Sequence, residues 1–184
     1  MQIRRIFPVL ALLFAAPAAA AQNAAAPGLI KNASASVAEL GKKMIDLANA
    51  IPADKFDWRP AEGVRSFNEV FLHVAADNYW FGVHFGVPAP ASTGVAAPYA
   101  TAQAYEQRKL GREAVLTELK NSFEYFEKVV REMPESKLAQ KLPQFGPEAT
   151  LQGMLVSALT HAHEHLGQSI AYARMNGVVP PWSR

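Results

Sequence analysis

The 184-residue sequence contains no cysteine. That absence excludes disulfides, thiolate metal ligands, a thiol nucleophile and a lipid anchor on an N-terminal cysteine. An excess of one charge is also missing, with 18 Lys and Arg against 16 Asp and Glu. Nucleic-acid binding normally needs a cationic stripe, and none is present. No uninterrupted apolar run approaches the roughly 20 residues that span a bilayer. Neither an internal repeat nor a convincing strand alternation is visible. The chemistry left to such a chain is that of its nitrogen and oxygen side chains.

Residues 1–21 read as a secretory signal peptide: Arg4 and Arg5, an apolar run from Ile6 to Ala16, then Ala19-Ala20-Ala21 before a cut at Gln22. Pro8 and Pro17 interrupt the apolar run, so no stable membrane anchor is expected. Losing Arg4 and Arg5 leaves 16 positive and 16 negative side chains, so the mature chain is near neutral. The expectations are a periplasmic or secreted protein and no nucleic-acid partner. Residues 22–28 are Ala-rich and read as a flexible leader, and residues 29–184 are the right size for one domain. A homodimer is compatible with the sequence.

Apolar spacing predicts a first helix over Leu29–Ala50, with Ile30, Val37, Leu40, Met44 and Leu47 on one side. Ser66 followed by Glu69 forms a capping box that opens a second helix reaching about Phe85. Gly86–Pro98 reads as a loop. One long third helix is expected over Thr101–Glu132, since Leu116, Leu119, Phe123, Phe126 and Val130 alternate spacings of three and four. A fourth is expected over Glu148–Asn176, stopped by Gly177. These elements predict an all-α protein, a four-helix bundle.

His161 and His165 stand four apart, on one helix face with Cβ atoms roughly 5–6 Å apart. Two imidazoles at that spacing can share a metal ion at about 2.0–2.1 Å each. His73, from the second helix, completes a three-nitrogen site with positions left for water or substrate. The bland alternative is three hydrogen-bonded core histidines. Glu69 and Asp77 flank His73 by one turn on either side. Each is a candidate fourth ligand, imidazole acceptor or base for bound water, or else a solvated carboxylate. Gln168, one turn past His165, can orient a ligand or water. His163 points away from the pair. His84 is three turns from His73, about 16 Å along the axis, and too far to share its metal.

The chain resembles the DinB/YfiT-like family of four-helix-bundle metalloenzymes. The resemblance is carried by Asp57-Trp58-Arg59-Pro60-Ala61-Glu62-Gly63-Val64-Arg65-Ser66 leading into Leu72-His73-Val74. It is also carried by His161 to Gln168, which reads HAHEHLGQ, followed by Tyr172, Arg174, Gly177 and Pro180-Pro181. It covers nearly all of residues 22–184. It implies a divalent metal, often zinc or nickel, on His73, His161 and His165. Nitrogen ligands suit iron and copper as well. Two classes of function follow: a metal-dependent hydrolase or transferase acting on an unidentified small molecule, or a non-catalytic periplasmic bundle that binds a metal or small molecule. The aromatics Trp58, Tyr79, Trp80 and Phe81 are candidate walls for a ligand pocket, or simply core.

Overall fold

A computed structural model describes residues 28–183. The expected signal peptide and nearly all of the expected leader lie outside the described residues. Among those described there are five α-helices and no strand: α1 (Leu29–Ala50), α2 (Phe67–His84), α3 (Tyr99–Glu106), α4 (Arg112–Glu132) and α5 (Leu151–Met175), joined by short 3-10 turns. The chain is all-α. Helix α1 packs on α4 and α5, α2 packs on the same two, and α3 lies on α2.

The apolar stripes go where the spacing sends them. Val37, Leu40, Met44 and Leu47 of α1 are buried, as are Phe67, Val70, Phe71 and Val74 of α2 and Leu119, Phe123, Phe126 and Val130 of α4. Close approach is set by small residues. A Cβ on Gly41 would stand 2.9 Å from the Phe123 ring, so α1 can meet α4 there only without a side chain. Gly82 likewise makes room for Tyr125, whose hydroxyl donates to Val87 O at 2.7 Å. None of the described helices is long and apolar enough to cross a membrane.

Two boundaries differ from the sequence reading. The single helix expected over Thr101–Glu132 is α3 and α4, interrupted at residues 107–111. Gly111 serves as the N-cap of α4, a position glycine tolerates well. Side chains support the break: Asn68 Nδ2 donates to Leu110 O at 3.0 Å, and Arg108 Nε adds to the backbone donors on Tyr105 O at 3.2 Å. The last helix starts at Leu151 rather than Glu148. Residues 140–142 pair with 149–151 through Leu142 N to Ala149 O and Leu151 N to Gln140 O, which holds Thr150 extended and leaves it as the N-cap, with Glu148 in the turn before it.

Candidate metal centre

Helix α2 starts on the expected capping box: Ser66 Oγ accepts from Glu69 N and Glu69 Oε2 accepts from Ser66 N. That cap fixes the register that brings His73 and Asp77 inward, where they are 6% and 5% exposed. Helix α5 runs antiparallel to α2: Tyr172 meets Phe67 and Trp58 near the start of α2, and His161 meets Phe81 near its end. His161 and His165 are thereby set opposite His73.

The three imidazoles converge through their Nε2 atoms. His161 Nε2 is 3.1 Å from both His73 Nε2 and His165 Nε2, and the three ligand atoms lie within 4.8 Å of one another. The far side of two rings is already occupied. His73 Nδ1 is 2.6 Å from Glu106 Oε2, and His165 Nδ1 is 2.8 Å from Gln168 Oε1. Both partners are acceptors, so each Nδ1 carries the hydrogen, and in a neutral ring the Nε2 is then a bare lone pair. Gln168 is held in that orientation by donating from Nε2 to the Tyr172 hydroxyl at 2.8 Å.

His161 Nε2 can supply only one hydrogen to the two lone pairs beside it. A third acceptor competes for that hydrogen, since Asp77 Oδ2 lies 3.1 Å from His161 Nε2 and 3.6 Å from His73 Nε2. With Asp77 ionised, the single ring hydrogen does not satisfy this arrangement, whereas a cation does. Bonds of about 2.05 Å place two nitrogens about 2.9 Å apart at a right angle and about 3.3 Å apart at a tetrahedral angle. The two 3.1 Å separations fall between these values. The remaining pair lies within 4.8 Å. The donor set fits a divalent metal.

The electrostatics agree. Burial, helped by Arg65 and His165, pushes His73 down to about 3. Burial and the neighbouring histidines push His161 down to about 3 as well. Both rings are therefore neutral and available as ligands at physiological pH. Burial, reinforced by the Glu106 carboxylate, pushes Asp77 up to about 7, and its Oδ1 is buried without a hydrogen-bond partner.

Of the residues singled out in the sequence, the structure brings together His73, His161, His165, Asp77 and Gln168. Glu69 is otherwise engaged, with one carboxylate oxygen on the Ser66 amide and the other 3.1 Å from Arg59 Nη2. His163 is exposed and its Nδ1 donates to Leu159 O. His84 sits against Trp80 and Phe145 and bonds to Ala97 O.

Glu106 is the residue that sequence reasoning missed. It is 33 positions from His73 and was counted inside an uninterrupted helix. The break after it, signalled by Gly111, is the available clue that the chain turns there.

The family model of the DinB superfamily matches residues 38–169. No curated protein matches the chain significantly.

Proposed function

The chain belongs to the DinB superfamily, and from that premise we propose that it is an exported metalloenzyme, a hydrolase or transferase of a small molecule, with a divalent metal on His73, His161 and His165. The observation that carries this reading is the convergence of three Nε2 atoms, two of them left without hydrogens by Glu106 and Gln168. Zinc or nickel is the expected metal, and iron or copper accepts the same nitrogens. The four long helices act as a four-helix bundle that holds α2 and α5 in register. Export rests on the pattern of residues 1–21. The near-neutral mature chain is expected to work without a nucleic-acid partner or membrane anchor, alone or as a homodimer.

When bound, such a metal supplies Lewis acidity and makes water acidic near neutral pH. The protein's part is positioning and proton handling. Glu106 and Gln168 fix the two imidazoles by accepting from their Nδ1–H groups, which also raises the basicity of the ligating nitrogens. Asp77, whose Oδ2 lies 3.1 Å from His161 Nε2 and 3.6 Å from His73 Nε2, is the carboxylate beside the ligand atoms, and its assigned part is to take a proton from a nucleophile there. The Phe81 ring lies edge-on to His161, with ring centroids 6.1 Å apart.

The test compares Asp77→Asn with His73→Ala in a screen of ester, amide and thiol-transfer substrates using the zinc- or nickel-loaded protein. Asp77→Asn is expected to retain metal and lose about 100-fold or more in turnover. His73→Ala is expected to lose both metal and turnover. Unchanged metal content in His73→Ala, or full turnover in Asp77→Asn, contradicts the proposal.

A further inference from the structure

A cleft of about 670 Å³ lies between the segment that leads into α2 and the α3–α4 break. Arg65, Leu72 and Glu106 are part of its wall, so it meets the metal centre only through Glu106, the partner of His73 Nδ1, and includes neither the His73 ring nor the Nε2 cluster. A volume of this size suits a small metabolite.

The hydrogen-bonding capacity of the cleft is lopsided. Its carboxylates are engaged: Asp57 accepts from Asn68 Nδ2, Glu69 holds the Ser66 amide and Arg59, and Glu106 holds His73 and Arg65. Arg59 is engaged as well, with Val64 O and Glu69. Arg108 is engaged only in part: Nε bonds Tyr105 O and the guanidinium stacks on the Tyr105 ring, while its buried Nη2, 3.6 Å from Glu118, has no hydrogen-bond partner. Arg65 and Lys109 are freer still. Arg65, with 45% of its side chain exposed, has a single contact to Glu106 at 3.3 Å. Lys109 is exposed and has no hydrogen bond or ion pair among the described residues. Arg65 and Lys109 therefore have donors to spare, which a negatively charged ligand would take up.

We propose that this cleft is a binding site for the carboxylate, sulfate or phosphate group of a small molecule, held by Arg65 and Lys109 and coupled to the metal centre through Glu106. Arg65 shares Glu106 Oε2 with His73 Nδ1. An anion that draws Arg65 to itself leaves the full carboxylate charge on the His73 ring and makes its Nε2 a stronger ligand. That favours a metal cation, so anion and metal each tighten the other, and linkage makes the factor the same in both directions. The coupling rests on the metal reading of the site, whereas the anion site itself does not.

The experiment follows backbone amide chemical shifts of the metal-free protein during titration with sodium sulfate and with sodium succinate, at ionic strength held constant with chloride. Saturable shifts confined to residues 63–66 and 106–110 are expected, and they should vanish in R65Q/K109Q. The same shifts should survive in H161A/H165A, so this arm stands even if the protein holds no metal. Linear or absent shifts with both anions, or shifts that persist in R65Q/K109Q, overturn the site. A second arm measures zinc affinity by chelator competition with and without saturating anion. A tightening of about fivefold or more is expected, at the lower end of ordinary coupling. An unchanged zinc affinity overturns the coupling and leaves the anion site to the first arm.

Discussion

The contact of α1 with α4 and the contact of α2 with α5 are built on opposite terms. The first is apolar. Gly41 lies under Phe123 at a distance no Cβ would allow, and Met44 and Leu47 beside it are fully buried. The second buries His73 and Asp77 at the same depth as leucines, faces them with two more histidines, and leaves Asp77 Oδ1 without a hydrogen-bond partner. Buried polar groups without partners cost about 1–3 kcal/mol each. The apolar pair of helices makes that cost tolerable, which is why a domain without disulfides can maintain a strained polar centre. One contact stabilises the fold, and the other draws on that stability to hold reactive groups close together.

That division can be broken from either side. The largest expected effect is on the apolar contact. Leu47→Ala should lower unfolding free energy by about 2–5 kcal/mol while metal stoichiometry, read on the folded fraction, stays at the wild-type value. Equal damage to both would mean that the two regions are not separable. Next, Glu106→Gln should weaken metal affinity by about 10- to 100-fold and leave the melting temperature of the metal-free protein nearly unchanged, as read by chelator competition and calorimetry. A smaller loss, about 1 kcal/mol, is expected when Ser66→Ala removes the cap of α2, measured by urea unfolding without metal.

Acid tests the polar contact separately, on the metal-free protein. His73 and His161, pushed down to about 3 in the fold, return to about 6.5 when unfolded. Below 6.5 the unfolded chain therefore takes up protons that the folded chain refuses. Their contribution is complete above pH 6.5 and declines as pH falls toward 3. Asp77, pushed up to about 7 from 3.8, acts in the opposite sense, stabilising below 3.8 and losing that contribution as pH rises through 7. Two histidines outweigh one carboxyl, so the melting temperature should fall from pH 6.5 downward. A flat profile in wild type, or the same slope in His73→Gln/His161→Gln, contradicts this assignment.

The sequence made the helices legible where periodicity and caps coincide. The bounds of α1 and the Ser66–Glu69 box follow from spacing alone. His161 and His165 were legible for the same reason, because residues four apart on a helix must share a face. Asp77 was legible as a neighbour of His73 but not as the carboxylate that reaches across to His161, since Glu69 has the same spacing on the other side. The N-cap decided between them by engaging Glu69. Glu106 was not legible. Its meeting with His73 depends on where α3 stops, and a break supported by side chains from elsewhere in the fold, such as Asn68 on Leu110 O, leaves little trace in local sequence. The start of α5 was misplaced for a similar reason, because the pairing of Lys141 with Thr150 is a tertiary contact.

The central claim is that the three converging nitrogens hold a metal. Elemental analysis of the mature protein, purified without an affinity tag, beside a His161→Ala/His165→Ala variant tests it most directly. Near-stoichiometric zinc or nickel in the wild type and none in the variant is the predicted result. No metal in either protein, even after incubation with both ions, would contradict the account and reduce the cluster to hydrogen-bonded core histidines.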